Sequence, residues 1–355
     1  NLFFDSIIIL YLIASTTLTV GLWRDRKRPH TWESRHPALT ITVFLLLCFS
    51  ALVIFWGSFI EPRLLTVNRV SLDLPNFEPE KPVRVALIAD VHVGTYKKGS
   101  WVRRVAERII KEKPDLVLMA GDFIVEKPEH TKYLSSFSIL NSSFPTYAVL
   151  GDHDYHVNRP DYKLDQALAN AVDRALTDIG IQVLHNKAQK IKINQASFWL
   201  VGLDDWLAGK TQFPPLGGGL SPLSGGPIIV LVHNPDFILS EESKNADLIL
   251  AGNTHGGQIR LPFIGPIALL PSRLPRSFDE GLFVEVRHSE RNAVERRISR
   301  ACAYRPFGRD PSSLRSSGWR IARTAKTSPP SAHRIRISGA SNANTERLQS
   351  RQADA

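Results

Sequence analysis

Five short polar clusters carry the groups in this chain that could do chemistry. They are Asp90-Val91-His92, Gly121-Asp122, Gly151-Asp152-His153-Asp154, His233-Asn234-Pro235 and Gly252-Asn253-Thr254-His255-Gly256-Gly257. Carboxylates and imidazoles are ligands for divalent transition metals. Seven such groups exceed what one ion takes, and they suffice for two ions about 3.5–4 Å apart that share a carboxylate. A pair of that kind suits in-line displacement at phosphorus, because it activates water at neutral pH and holds both the attacking and the leaving oxygen. No single cluster decides the matter. Gly-Asp is common at turns, and a lone Asp-x-His serves as readily as a cap or core pair. The weight lies in finding all five in order, each after an apolar run.

Those runs are the elements that must aim the clusters. Residues 83–89, 116–120, 146–150, 228–232 and 248–251 read as short buried strands, and 282–286 as a last one. Residues 99–113 place Val102, Val105 and Ile109 at helical spacing and stop at Pro114, and 161–179 reads as a further helix. Residues 188–203 read as a hairpin of 189–193 and 198–203, followed by a Gly/Pro-rich loop over 206–227. Strands alternating with helices imply an α/β domain, and ligand sites in such sheets form at the carboxyl ends of strands. Outside the clusters, His130, His156 and His185 read as surface or loop histidines, and Trp199 and Trp206 as packing. The apolar stretch 261–275 reads equally as a membrane-touching lip or a packed loop.

The ordered clusters resemble the calcineurin-like metallophosphoesterase family, whose pattern is D-x-H, G-D, G-N-H-[DE], a single His and G-H-x-H. The resemblance covers residues 83–286, and the run from Gly252 to Pro262 is similar to the membrane-associated bacterial branch of phosphodiesterases and UDP-2,3-diacylglucosamine pyrophosphatases. It implies a four-layer α/β/β/α sandwich and a site for two divalent ions (Mn, Zn, Fe or Mg). By the family pattern Asp90, His92 and His255 hold the first ion and Asp122 bridges. His233, Asp152 and Asn253 complete the second site, Asp154 supports the turn from behind, and His153 assists the transition state or protonates the leaving oxygen. Two positions depart from the pattern: Asp152 stands where the family has Asn, and Asn253 where it has His. The exchange makes the second site richer in oxygen, which favours Mn. The added negative charge favours a phosphodiester or pyrophosphate over a monoester. The alternative is a metal-binding membrane scaffold with impaired catalysis.

Upstream, residues 6–23 and 38–60 lack charge and are rich in Leu, Ile, Val and Phe, so two transmembrane helices are expected within an anchor at 1–60. The loop between them carries Arg24, Arg26, Lys27, Arg28 and Arg35 against Asp25 and Glu33. Positive loops stay cytoplasmic, which places the domain on the far side of a cell membrane. Residues missing before Asn1 would be able to invert that order. Pro62, Pro75, Pro79 and Pro82 punctuate a linker over 61–82.

The chain of 355 residues carries 44 Lys+Arg against 34 Asp+Glu, an excess that would suggest a polyanion partner. Yet residues 287–355 hold 15 basic and 5 acidic residues, and the preceding 286 residues hold 29 of each. The excess belongs to the tail, so no specific nucleic-acid partner is expected for the domain. With 14 Arg, abundant Ser and no sustained apolar period, the tail reads as disordered or translated out of frame. The two cysteines, Cys48 and Cys302, exclude a disulfide framework and a Cys-based zinc site.

Overall fold

The computed structural model describes residues 2–25, 36–74, 77–158, 161–215, 226–257, 260–261, 265–266, 271–275, 278, 281–287, 296–302 and 335–341. The chain divides into two units, Asn1–Leu64 and Leu65–Ala355.

The first unit is a pair of helices, α1 (Leu2–Asp25) and α2 (Pro37–Phe55), the latter running on through a π turn at Trp56–Ile60. Tyr11 donates its hydroxyl to Ser50 Oγ across the pair at 2.7 Å. Residues Ala38–Ile60 form 23 helical residues that leave Leu45, Leu46, Phe49 and Leu52 exposed. At 1.5 Å per residue they reach about 34 Å, enough to cross a bilayer. Of the two expected transmembrane helices, α2 has the required length and composition. It is the one such helix among the described residues, and α1 contributes the shorter apolar stretch Tyr11–Gly21. Within α1, Thr16, Thr17 and Thr19 donate their hydroxyls back to the Leu12, Ile13 and Ser15 carbonyls.

The second unit is built on two six-stranded sheets. The first has the order β1 (Thr66–Leu72), β14 (Ile335–Ser341), β2 (Val83–Ile88), β3 (Leu116–Ala120), β4 (Thr146–Val149), β5 (Gln182–Val183). The second has the order β12 (Gly281–Arg287), β13 (Arg296–Cys302), β9 (Leu248–Ala251), β8 (Ile228–Leu231), β7 (Ala196–Gly202), β6 (Lys187–Ile193). A short hairpin, β10 (Arg260–Leu261) and β11 (Gly265–Pro266), stands apart. Strands β2 to β5 run parallel, as do β7 to β9.

Period-two alternation sorts each strand between layers. Val83, Val85 and Leu87 join Leu116, Leu118, Phe198, Leu200, Ile229 and Leu250 in the core between the sheets. Ala86, Ile88, Val117 and Met119 instead meet α3 (Gly99–Glu112) and α4 (Gln166–Thr177). Helix α3 buries Val102, Val105, Ala106 and Ile109 there, each large side chain contributing about 1.5–3 kcal/mol. Helix α4 begins where Asp165 accepts the Leu168 N–H at 2.9 Å, a side-chain cap for the first turn. The α/β expectation holds, with one difference in the fourth layer. Among the described residues the outer face of the second sheet is covered by 3₁₀ turns at Pro235–Leu239 and Glu242–Asn245, not by α-helices.

Three strands of the two sheets come from outside residues 83–286. The stretch expected to be a linker contains β1, and Leu72, Leu74 and Phe77 are buried in the inter-sheet core. The tail expected to be unfolded supplies β13, parallel to β9, and β14, parallel to β2. Short alternating stretches such as Ile335-Arg336-Ile337 are enough for strands whose partners lie elsewhere in the chain. The other tail residues lie outside the described ones.

Candidate metal centre

All five clusters sit at carboxyl ends of strands, Asp90 after β2, Asp122 after β3, Asp152 after β4, His233 after β8 and Asn253 after β9. The loops after β2 and β3 are laced together: Asp90 N–H donates to Gly121 O, His92 N–H to Asp122 O and Val93 N–H to Phe123 O. The turns after β8 and β9 join where Gly252 N–H meets His233 O at 3.0 Å. Close approach demands glycine at two positions. A Cβ on Gly121, whose φ is +82°, would lie 2.8 Å from His233 Nδ1, and one on Gly151 would lie 2.3 Å from Asp122 Oδ1. Asp90, His92, Asp122, Asn253 and His255 all adopt positive φ between 47° and 70°. Such conformations cost on the order of 1–3 kcal/mol each and persist only where surroundings enforce them.

Asp154 is one enforcing residue. Its carboxylate, fully buried, accepts the N–H groups of Asp122, Phe123, Ile124 and Gly151 at 2.9–3.2 Å. Four backbone donors are thereby satisfied, and the turns after β3 and β4 are held against each other.

The side chains converge in two groups that share Asp122. Asp90, His92, Asp122 and His255 offer ligand atoms all within 4.8 Å of one another, and so do Asp122, Asp152 and His153. His92 Nε2 and His255 Nε2 are 3.1 Å apart, and His255 Nε2 is 3.4 Å from Asp90 Oδ1. Asp122 Oδ2 lies 3.5 Å from His92 Nε2 and 3.3 Å from His233 Nε2, yet makes a hydrogen bond to neither. His233 Nδ1 is fixed by Ala120 O at 2.6 Å, so Nε2 turns to Asp152 Oδ1 at 3.0 Å. A buried carboxylate oxygen without a donor, ringed by imidazole nitrogens, matches the donor set of a divalent cation.

Electrostatics agree with that reading. Burial lowers the pKa of His92 well below the imidazole range, and the neighbouring His255 and His153 add to it. His255 is lowered chiefly by burial as well, so both rings are neutral donors. Burial pushes Asp122 up to about 8, against the pull of His233 and with the push of Asp152 and Asp90. For Asp152, burial is outweighed by the bond and charge of His233, which hold it below the usual carboxylate range. Burial likewise opposes protonation of His233, but Asp122 and Asp152 raise it well above the usual range.

His153 stands beside the cluster, its ring 4.5 Å from that of His92. Nδ1 lies 2.7 Å from Val125 O, which accepts, so the proton is on Nδ1 and Nε2 faces Asn158 Nδ2 at 3.2 Å. The His153 N–H donates to Asp122 Oδ1 at 3.0 Å. Asn253 is held by its backbone and by the Nδ2 end of its side chain. Its N–H bonds both oxygens of Asp90, and its side-chain amide donates to Pro271 O at 3.2 Å. Asp236 holds that segment, accepting from Ser272 Oγ and the Arg273 N–H. Leu274 in this segment packs against the outer core, while residues 262–264 and 267–270 of the apolar stretch 261–275 lie outside the described ones.

Sequence reading missed Asp204 and Asp205, both buried directly after β7. Asp204 accepts from the Tyr155 hydroxyl at 2.8 Å and pairs with His185 Nδ1 at 2.8 Å, and His185 Nε2 reaches Asp173 at 3.4 Å. His185 lies in the bend between β5 and β6, as expected of a loop histidine, and there ties Asp204 to Asp173. Trp206 packs edge-on against Phe237, as expected for a packing residue. The signal for the missed pair was present, since acidic residues after an apolar strand are what marked the other clusters.

Residues 83–257 match the family described as calcineurin-like phosphoesterase. Over 186 residues the chain is 32% identical to phosphodiesterase YaeI of Escherichia coli, covering 52% of this chain and 64% of that protein. It is 26% identical over 262 residues to the UDP-2,3-diacylglucosamine pyrophosphatase LpxG of Chlamydia muridarum, covering 63% and 79%. It is 31% identical over 207 residues to the metallophosphoesterase YkuE of Bacillus subtilis, covering 56% and 67%. The chain thus spans just under two thirds of the E. coli protein's length.

Proposed function

Because this chain belongs to the calcineurin-like phosphoesterase family, we propose that it hydrolyses a phosphodiester or pyrophosphate in a lipid- or nucleotide-linked substrate, using two divalent cations. The observation that carries the reading is the sharing of Asp122 between two groups of ligand atoms. When bound, the cations would supply Lewis acidity at phosphorus and a nucleophilic water at neutral pH.

Asp90, His92, His255 and Asp122 would hold one cation; Asp122, Asp152 and His233 would hold the other. Asp154 keeps the two turns in register, so the ligands need no rearrangement on loading. His153 holds Nδ1–H against Val125 O and leaves Nε2 as a proton acceptor, so Nε2 would have to take up a proton before it could hand one to a leaving oxygen. Two neutral imidazoles and at least three carboxylates make a site with much hard oxygen character, and Mn is the cation this favours. Asp152 adds a negative charge where a phosphate must sit. That disfavours doubly charged monoesters, and the names of two relatives point the same way.

The apolar helix at Ala38–Ile60 supports attachment to a cell membrane, and the basic loop at 24–37 supports an extracytoplasmic domain. A reporter fused after residue 287 tests this, a cytoplasmic signal overturning it. The activity is tested with full-length chain in detergent and Mn: bis(p-nitrophenyl) phosphate should be cleaved faster than the monoester. No cleavage of either, with metal bound, would favour the scaffold reading that the Asn253 substitution raises.

A further inference from the structure

Asp205 is the most conspicuous buried charge that the site described above leaves unused. It is fully buried immediately after Asp204, three positions beyond the end of β7. Oδ1 accepts the Ala208 N–H at 2.8 Å, while Oδ2 is buried without a hydrogen-bond partner. Such an oxygen carries a full desolvation penalty with nothing to offset it. No described Lys or Arg makes an ion pair with it; the nearby Lys210 ammonium lies over the Tyr155 ring.

Its place in the fold suggests what would offset it. The sheets face each other so that strand ends meet in pairs. Gly252 after β9 abuts Asp90 after β2, and Gly121 after β3 abuts His233 after β8. In the sheet orders β2-β3-β4 and β9-β8-β7, the next pair is β4 with β7. Asp152 and the Asp204-Asp205 turn follow those two strands. The electrostatic neighbours of Asp205 agree, since after burial its largest influences are His233 and Asp152. On the opposite flank, the Asn253 amide is engaged by Pro271.

We infer that Asp205 Oδ2 is a ligand of the second divalent cation, completing a set with Asp122, Asp152 and His233. This rests on the reading that two cations bind here. It gives the second site a third carboxylate in place of the imidazole that position 253 lacks, which selects hard cations such as Mn or Mg over Zn.

The experiment counts metal and does not depend on turnover. Full-length chain in detergent is stripped with chelator, titrated with Mn, and read by bound metal per chain and by the exchange-coupled dimanganese signal in electron paramagnetic resonance. Wild type should take up two Mn and show coupling. Asp205→Asn keeps the Ala208 bond; its second Mn should bind on the order of 100-fold more weakly, with coupling lost and the first Mn retained. Adding Asn253→His to that variant should restore the second Mn. Unchanged binding of two Mn by Asp205→Asn overturns the inference, as does a metal-free melting temperature well below wild type, which would mark a purely structural residue. Fewer than two Mn in wild type overturns both this and the dinuclear reading. Two in wild type and one in the variant, with no hydrolysis by either, supports this inference and overturns the activity.

Discussion

His92 and His255, 163 positions apart in the chain, bring their Nε2 atoms to 3.1 Å with rings nearly parallel. Burial keeps both below the ordinary imidazole pKa, so two neutral nitrogens point at one place next to Asp90. One ring follows β2 of the first sheet and the other follows β9 of the second. The site therefore exists only when the sheets are docked, and folding and cation binding are linked.

Removing either ring should break that set. His255→Ala is expected to lower hydrolysis of bis(p-nitrophenyl) phosphate at least 100-fold or so, since even groups supporting a ligand are worth about 10–100-fold. The same variant should lose one Mn per chain. Retention of both metal and activity would show that the convergence is not a binding site.

His153 should behave differently from the ligands. With Nδ1 fixed by Val125 O and the ring 4.5 Å from that of His92, His153→Ala should cut kcat by about 10²–10⁴ while leaving bound Mn unchanged. Loss of metal in equal measure would make His153 a ligand, as its distance from Asp122 and Asp152 permits.

Asp154 is expected to matter for stability as much as for activity. Asp154→Ala leaves the buried N–H groups of Asp122, Phe123, Ile124 and Gly151 without their acceptor. Each stranded donor costs about 1–3 kcal/mol, partly relieved by relaxation or water. A loss of about 3 kcal/mol in metal-free unfolding is expected, measured by denaturant titration, and Asp154→Asn should lose less.

The central strands and the ligands were legible in sequence for one physical reason. β2, β3, β4, β8 and β9 are covered on both faces, so they read as continuous apolar runs, and each ligand cluster follows one directly. Asp205 obeyed the same rule, but its strand was read as half of a hairpin and the Gly/Pro-rich loop after it drew the eye away. β1, β13 and β14 were not legible because their pairing is long-range: β14 lies between β1 and β2, and a strand of Arg and Ser with such partners leaves little local pattern.

Metal-free protein should lose stability as pH rises. In the unfolded chain Asp titrates near about 3.9, whereas burial lifts Asp122 to about 8 and Asp154 to about 7. Between those values the folded form holds more protons than the unfolded one. Stability is thus fully present below the unfolded value and lost progressively as pH rises through the folded ones. His185 runs in the same direction: its bond to Asp204, opposed by burial, raises its pKa. Its contribution is full below the unfolded value of about 6.5 and disappears above the raised one. Melting temperatures in chelator should therefore fall from pH 5 to pH 9, and His185→Gln should flatten only part of the slope. Bound Mn favours ionised Asp122, so melts in Mn should show little decline between pH 6 and 8. Parallel slopes with and without Mn would mean that the cation does not engage Asp122.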